Sequence, residues 1–212
     1  MLSFRTRLIL VTAFAVAMAY FEAAVVVYLR EIYYPEGFGL PLKDMAGSII
    51  GIELFREAST LAMLALVGVM LGRAAWERFA FFLIVFGIWD IFYYVFLKAT
   101  INWPSSLLEW DILFLLPLPW IGPVIAPVLV SVAMITAGLL IARLYPRGKR
   151  FHAPALTWLL AIVGSGIILY SFMSDTAATL QQQMPQPYAY WQLALGLLCY
   201  AVAVWYAFRR LD

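Results

Sequence analysis

The sequence contains very little of the side-chain chemistry that redox and metal centres use. It has one cysteine, Cys199, and one histidine, His152, in 212 residues. A single cysteine excludes an intrachain disulfide, and haem, copper and zinc sites usually need several histidine or cysteine ligands. We therefore expect no haem, copper or zinc cofactor. His152 lies in a predicted basic loop, which also argues against a catalytic Ser–His pair.

Charge is equally scarce. Charged residues make up 12% of the chain and hydrophobic residues 65%, with a mean hydropathy of +0.91. Soluble domains carry about 25% charged residues, so this composition excludes a water-soluble globule, and it is too apolar for a disordered chain. No phosphate-binding glycine loop or nucleic-acid motif is present. The sequence predicts an all-α, polytopic integral membrane protein of one domain, residues 1–212, with membrane lipids and no nucleic acid as partners.

Six apolar stretches are long enough to cross a bilayer, which requires about 20 mostly apolar residues for each helix. The first continues well past Ala17-Met18-Ala19, which resembles a signal-peptide cleavage site, so we expect a retained first helix. The predicted spans are Leu8–Leu29, Ser48–Leu71, Phe79–Leu97, Val124–Leu144, Ala155–Ser174 and Tyr190–Phe208.

The basic residues predict an orientation. If the N-terminus is cytoplasmic, ten of the 14 lysine and arginine residues fall on the cytoplasmic side, as the positive-inside rule requires. The fifth connection, Asp175–Ala189, has no basic residue. We therefore expect both termini inside, in a bacterial inner (plasma) membrane. The ten residues are Arg5, Arg7, Arg73, Arg78, Arg143, Arg147, Lys149, Arg150, Arg209 and Arg210.

Two connections are expected to be more than simple loops. Glu31–Gly47 combines tyrosines with prolines and glycines, which favours either a cap over the outer end of the bundle or an interfacial anchor. In Asn102–Pro123 a capping-box pattern predicts a short outer helix over Ser106–Leu116. The proline-rich run Pro117–Pro123 then predicts a break before the fourth span, because each proline removes a backbone donor.

Four acidic residues fall within the predicted spans. Glu53 and Glu57 are four residues apart in the second span and therefore share one helix face. Ionisable groups at the bilayer centre cost about 2.5–3.5 kcal/mol each, so these side chains should face one another, Arg56 or water. The candidate site residues are Glu22, Glu53, Arg56, Glu57, Asp90, Tyr93 and Tyr94, with Lys98, Glu109, Asp111 and Trp120 as secondary candidates at the outer face.

The excess of acid over base in this set favours a functional site over a purely structural ion-pair network. We expect a transporter or a solute- or cation-binding membrane subunit. If a metal binds, oxygen ligands favour Mg²⁺, Ca²⁺ or Mn²⁺, and Glu53, Glu57 and Asp90 are the candidate ligands. Size, topology and the Ala13/Ala17 spacing are loosely similar to the substrate-binding components of energy-coupling-factor vitamin transporters. No vitamin-site motif accompanies that likeness.

Two other functions are left open by the sequence. One is a non-catalytic accessory subunit of a larger membrane complex, which would meet its partner through the first, fifth or sixth span. Small residues that permit close helix contact occur at Ala13/Ala17, Ala19/Ala23 and Ala161–Gly166, and they serve packing within the bundle or against a partner. The other is a membrane enzyme for a lipid or isoprenoid, with Asp90 or Glu57 as general acid or base. Aspartate-rich prenyl-diphosphate motifs are absent.

Overall fold

The computed structural model describes residues 2–41, 43 and 45–210. Six of its helices are long and apolar enough to cross a membrane, which confirms the predicted number of spans. The predicted boundaries agree with the observed ones to within about four residues at each end. The helices are α1 (Phe4–Tyr33), α2 (Gly47–Leu71), α3 (Ala75–Ile101), α4 (Ile125–Ala142), α5 (Ala155–Met173), the short α6 (Thr176–Leu180) and α7 (Tyr190–Arg209).

Helix α3 lies at the centre of the first four helices and packs against α1, α2 and α4, while α5 and α7 form a second pair. The α3–α4 contact depends on two glycines. A Cβ atom on Gly87 would lie 2.6 Å from the carbonyl oxygen of Ser131, and one on Gly138 would lie 2.6 Å from that of Ala80. Only glycine fits at these crossings, because any larger residue would push the two helix backbones apart.

The small residues of α1 are divided between two faces. Ala15, Ala19 and Ala23 are buried in the bundle, which places the predicted Ala19/Ala23 pair at a packing face. Ala13 and Ala17 are exposed, so this pair does not pack within the described part of the chain. The two rows differ by two residues, which corresponds to about 200° around a helix with 3.6 residues per turn.

At the end of the bundle that holds the N-terminus, Arg7 of α1 donates to the Glu77 carboxylate at 2.8 Å and to the carbonyl of Leu71 at 2.8 Å. Glu77 is fully buried in the first turn of α3. Glu77 therefore belongs to the helix, which begins four residues before the predicted start of the third span at Phe79. A negative side chain in the first turn of a helix is favoured by the helix dipole, and Arg7 neutralises it.

The segment before α4 is a β-hairpin and not the predicted helix over Ser106–Leu116. Strands β1 (Trp110–Phe114) and β2 (Trp120–Pro123) pair antiparallel, with Trp110 opposite Pro123. Glu109 accepts hydrogen bonds from the N–H and hydroxyl of Ser105, so the expected cap at Ser106 does not start a helix. The sequence of β1, WDILF, is rich in aromatic and β-branched residues, which favour strands. The predicted proline-rich break before the fourth span is confirmed, since Pro117 and Pro119 lie in the hairpin turn.

Candidate functional site

A cluster of charged side chains lies between α1 and α2, with Arg56 at its centre. Arg56 donates to Glu53 on its own helix, with Nε 2.8 Å from Oε2, and forms an ion pair with Glu22 of α1. Thr60, one turn further along α2, donates to the second oxygen of Glu22 at 3.1 Å. The spacing of Glu53, Arg56 and Thr60 places all three on the face of α2 that meets α1. We call Glu22, Glu53, Arg56 and Glu57 the acidic cluster.

Glu57 bonds to the backbone of the hairpin turn. Its two carboxylate oxygens accept the N–H of Leu115 at 3.0 and 2.9 Å, and the N–H of Leu116 is also close to this carboxylate. Pro117 and Pro119 complete the turn and have no N–H to satisfy. A carboxylate that accepts backbone donors therefore compensates for non-helical backbone inside an apolar helix bundle, where an unsatisfied donor is costly.

Arg30 and Asp111 hold the base of the hairpin. The Nη2 atom of Arg30, near the end of α1, lies 2.8 Å from Oδ1 of Asp111 in β1, and both residues are buried. The guanidinium carbon lies 3.7 Å from the ring centroid of Trp103 and 4.2 Å from that of Phe38. Asp111, which was predicted as a secondary outer-face residue, lies beside Arg30 near the end of α1 and is only 2% exposed.

These contacts show that the hairpin runs into the bundle. From Asp111 to Leu115 a strand extends about 13 Å. From Arg30 back to Glu22 the α1 helix covers about 12 Å. Since Asp111 meets Arg30 at one end and the hairpin tip meets Glu57 beside Arg56 at the other, the hairpin descends alongside α1 to the depth of the acidic cluster. It is a re-entrant element, held at both ends by charged groups.

The first connection covers this end of the bundle in part. Phe38 packs edge-to-face on Tyr34 and on Trp103, with ring centroids 5.1 and 5.7 Å apart. The Tyr34 hydroxyl accepts the N–H of Lys43 at 2.8 Å. The described residues of this connection therefore fit the predicted cap better than a plain interfacial anchor. Leu42 and Asp44 of the same connection lie outside the described residues.

Asp90 belongs to a neighbouring group on α3. The hydroxyl of Ser131 in α4 donates to Asp90 Oδ2 at 2.8 Å, across the close α3–α4 contact at Gly87. Tyr93 lies one turn further along α3 than Asp90. It is close enough to feel the charges of Arg30, Arg56, Asp90 and Asp111. Tyr94 packs on Tyr93, with ring centroids 4.9 Å apart, and is buried beside Asp111.

The structure does not bring every predicted residue to this site. Lys98 donates to the carbonyls of Asn102 and Pro104, where it closes the end of α3. Glu109 bonds to Ser105 in an exposed turn, and Trp120 packs on Phe172 of α5, on the other side of the hairpin. Among the described residues, no group of three acidic, histidine or cysteine side chains could hold a metal ion. Glu53, Glu57 and Asp90 each bond to a different element.

Sequence reasoning missed three contributors: Arg30, Thr60 and Ser131. Each is a common residue at its position in the chain, and its role becomes visible only through its partner on another helix or strand. Arg30 in particular sits at the end of a spanning helix, where a basic residue usually extends toward the headgroups. The one available signal was Trp103 beside Pro104, since an aromatic residue at a helix end offers a surface for a guanidinium.

Nη1 of Arg30 and Oδ2 of Asp111 are buried and have no hydrogen-bond partner by distance and angle within the described ranges. Buried polar groups are normally paired, and each exception calls for an explanation such as a functional role. Burial also raises the pKa of Asp111 to about 6, although Arg30 acts in the opposite direction. The Arg30–Asp111 pair therefore retains unused donor and acceptor capacity.

Comparison with known proteins adds nothing to this geometry. The chain matches no protein-family model, no curated protein and no solved structure.

Proposed function

We propose that this chain is a small transport or solute-binding membrane subunit in which the acidic cluster binds a proton or a cationic group. The observation that carries the proposal is the charge of the cluster. Three glutamates, Glu22, Glu53 and Glu57, surround one arginine, Arg56, between membrane-spanning helices. Asp90 adds a fourth carboxyl whose hydrogen-bond partner is a hydroxyl.

The charge excess requires a source of positive charge. With every carboxyl ionised, the four acids and Arg56 would leave three uncompensated negative charges. Uncompensated intramembrane charges each cost several kcal/mol, which is comparable with a large part of the stability of a whole domain. A proton, or a cationic group of a bound solute, removes that cost. A bare metal ion fits less well, because Glu53, Glu57 and Asp90 have separate partners.

In this proposal the hairpin is the element that closes the site. Its tip bonds to Glu57 and its base to Arg30, so both attachments depend on the ionisation of a carboxyl. Arg56 keeps 17% of its side-chain surface accessible, so the cluster is not completely sealed. The positive-inside rule places the hairpin end on the outer side of a bacterial inner membrane, with both termini in the cytoplasm. Broken elements that line intramembrane sites are common in transporters.

The experiment measures proton movement into proteoliposomes under an imposed potassium diffusion potential, with a pH-sensitive dye inside the vesicles. We expect uptake above that of empty liposomes, reduced at least tenfold by Glu53→Gln or Asp90→Asn. Glu109→Gln is the matched control, because this partly exposed residue bonds to Ser105 and lies away from the cluster. Uptake equal to that of empty liposomes, from protein shown to be folded, would count against proton transport.

A second candidate, an accessory subunit of a larger membrane complex, is favoured by one observation. Each of the acids Glu22, Glu53, Glu57 and Asp90 already has a hydrogen-bond partner within the chain, as a structural network would require. The exposed Ala13/Ala17 pair of α1 then offers a face for close helix contact. Native mass spectrometry of gently solubilised protein distinguishes the two, since the accessory role requires a stoichiometric partner protein.

A further inference from the structure

Two adjoining cavities lie on the side of α5 and α7 that faces away from the acidic cluster. The first, about 260 Å³, is a cup of mixed polarity: Ser174, Asp175 and Gln186 line one part of it, and aromatic residues such as Trp110 and Tyr188 line another. The second, about 440 Å³, is an apolar groove lined by residues of α5 and α7. Tyr170 and Gln192 line both cavities, so the cup and the groove are neighbours. The groove residues are Val163, Gly166, Ile167, Tyr170, Trp191, Gln192 and Leu195.

The groove has the form and position expected for a hydrocarbon chain. It runs between two membrane-spanning helices and is lined mainly by aliphatic and aromatic side chains. A Cβ atom added to Gly166 would meet no atom within 4 Å, so the backbone of α5 borders open space at this point. By contrast, Gly164 lies against the backbone of Gly196, where the same two helices touch. The helices therefore touch at one position and leave an open groove on the surface beside it.

The cup differs from the groove in that polar side chains form part of its wall, and its one charged residue, Asp175, is negative. Asp175 accepts the N–H of Gln186 at 2.9 Å, and a carboxylate can accept further hydrogen bonds. The connection Asp175–Ala189 contains no lysine or arginine. The Oε1 atom of Gln192 is buried and has no hydrogen-bond partner in the described part of the chain. Acceptors without a nearby cation favour a ligand that brings hydrogen-bond donors and positive charge.

We propose that the cup and groove together bind one phospholipid with a primary-amine headgroup, drawn from the surrounding bilayer. The ammonium group lies in the cup, near Asp175 and Gln192, and one acyl chain follows the groove past Gly166. The groove, at about 440 Å³, lies in the range of roughly 300–1,000 Å³ that is typical of ligand sites, and the cup, at about 260 Å³, is slightly smaller. An amphiphile has a polar headgroup and an apolar chain. The cup offers polar groups at the end of a span, and the groove offers an apolar surface along it.

The cup also touches the hairpin. Trp110 of β1 and Ile121 of β2 form part of its wall, and Tyr188 of the same wall packs against Trp110 with ring centroids 6.1 Å apart. A bound headgroup therefore lies against the face of the hairpin that is turned away from Arg30 and Glu57. This proposal does not depend on the acidic cluster, and it holds for a transporter and for an accessory subunit alike.

The test uses delipidated full-length protein and phosphatidylethanolamine, phosphatidylcholine and phosphatidylglycerol with identical acyl chains. Native mass spectrometry measures how much of each lipid is retained, and thermal unfolding measures the stabilisation each lipid gives. We expect phosphatidylethanolamine to be retained most. Asp175→Asn should reduce its retention about tenfold relative to phosphatidylcholine, which corresponds to about 1.4 kcal/mol.

Gly166→Trp should abolish retention of all three lipids, because the indole ring then occupies the groove. Gly51→Trp is the matched control, since Gly51 of α2 also borders open space, and it should retain phosphatidylethanolamine as the unaltered protein does. If Gly166→Trp does not fold, Gln192→Leu tests the cup instead. It should reduce the preference for phosphatidylethanolamine over phosphatidylcholine. Equal retention of the three lipids, a preference for phosphatidylglycerol, or unchanged retention in Gly166→Trp would overturn the proposal.

Discussion

The carboxylate of Glu57 accepts the backbone N–H of Leu115 with both of its oxygens, at 3.0 and 2.9 Å, and so joins helix α2 to the tip of the hairpin. An acidic side chain inside a membrane span is costly, and so is a turn with unsatisfied N–H groups. Here the Glu57 carboxylate and the N–H groups of the turn each offset part of the cost of burying the other. Without the hairpin, a glutamate at this position of α2 would be destabilising.

Replacement of Glu57 tests this relationship. Glu57→Leu removes the acceptor and should lower the free energy of unfolding by about 1.5–3 kcal/mol, the usual contribution of a hydrogen bond to a charged group. Glu57→Gln keeps one amide oxygen as acceptor and should be milder. Thermal unfolding in detergent measures both. Glu31→Gln, an exposed change near the end of α1, is the control and should have no effect. Equal stability of Glu57→Leu and the unaltered protein would contradict the assignment.

Arg30 and Asp111 should behave as a coupled pair. Removal of one partner from a buried ion pair typically costs about 3–5 kcal/mol, because the other charge is left buried alone. We expect Arg30→Gln to destabilise strongly at pH 7, because it leaves the Asp111 carboxylate buried without a cation. Asp111→Asn should cost less, because burial already disfavours the charged form of Asp111, and the double variant should lose less than the sum of the two. Arg30→Lys should also be less stable than the unaltered protein, since lysine does not stack on Trp103 and Phe38 as a planar guanidinium does. Additive losses in the double-mutant cycle would disprove the coupling.

The same pair predicts a pH dependence. Burial raises the pKa of Asp111 from 3.8 to about 6, so the folded protein binds a proton in this interval that the unfolded chain does not bind. The contribution of Asp111 to the free energy of unfolding should therefore fall as pH rises from about 4 to about 6, by up to about 3 kcal/mol, and then stay constant. Asp111→Asn should remove this component. An identical pH profile in Asp111→Asn would contradict the raised pKa.

Arg56 should be the least replaceable residue of the acidic cluster. Arg56→Met leaves Glu22 and Glu53 without a cation and should cost about 3–5 kcal/mol, or prevent assembly in the membrane. The combination of Arg56→Met with Glu22→Gln and Glu53→Gln should restore much of that loss, because the two carboxylates that bond to Arg56 are then neutral as well. Arg143→Gln, at an exposed position, is the control. Yield and thermal unfolding of the detergent-solubilised variants are measured, and failure of the triple variant to recover would contradict the charge argument.

Most of the helical fold could be predicted from the sequence, because each span is a local property of about 20 residues. The hairpin could not be predicted in this way. Its pairing joins Trp110 to Pro123, and its position depends on Glu57, which lies more than fifty residues earlier in the chain. The local capping pattern at Ser106 therefore favoured a helix that tertiary contacts override.

The candidate site was predictable only in part, for a related reason. Glu22, Glu53, Arg56 and Glu57 stood out because charge is rare in the spans, and the structure brings these four together. The burial of Asp111 was missed, because its position in sequence lies outside every span and its contact with Arg30 forms only in the folded hairpin. Asp90 lies in a span as expected, yet its hydrogen-bond partner, Ser131, could not be identified without the α3–α4 packing.

The most direct test of the central claim is whether the acidic cluster can be reached from the hairpin end. In a Cys199→Ala background, Thr60→Cys places a thiol in the cluster, at a site that is 1% exposed. A membrane-impermeant maleimide is then applied to either side of oriented vesicles, with exposed Gly39→Cys as positive control and buried Leu64→Cys as negative control. We predict that Thr60→Cys reacts from the Gly39 side, more slowly than Gly39→Cys and clearly faster than Leu64→Cys. Reactivity no greater than that of Leu64→Cys would contradict access to the acidic cluster from the hairpin end. It would indicate that the cluster is a sealed structural network.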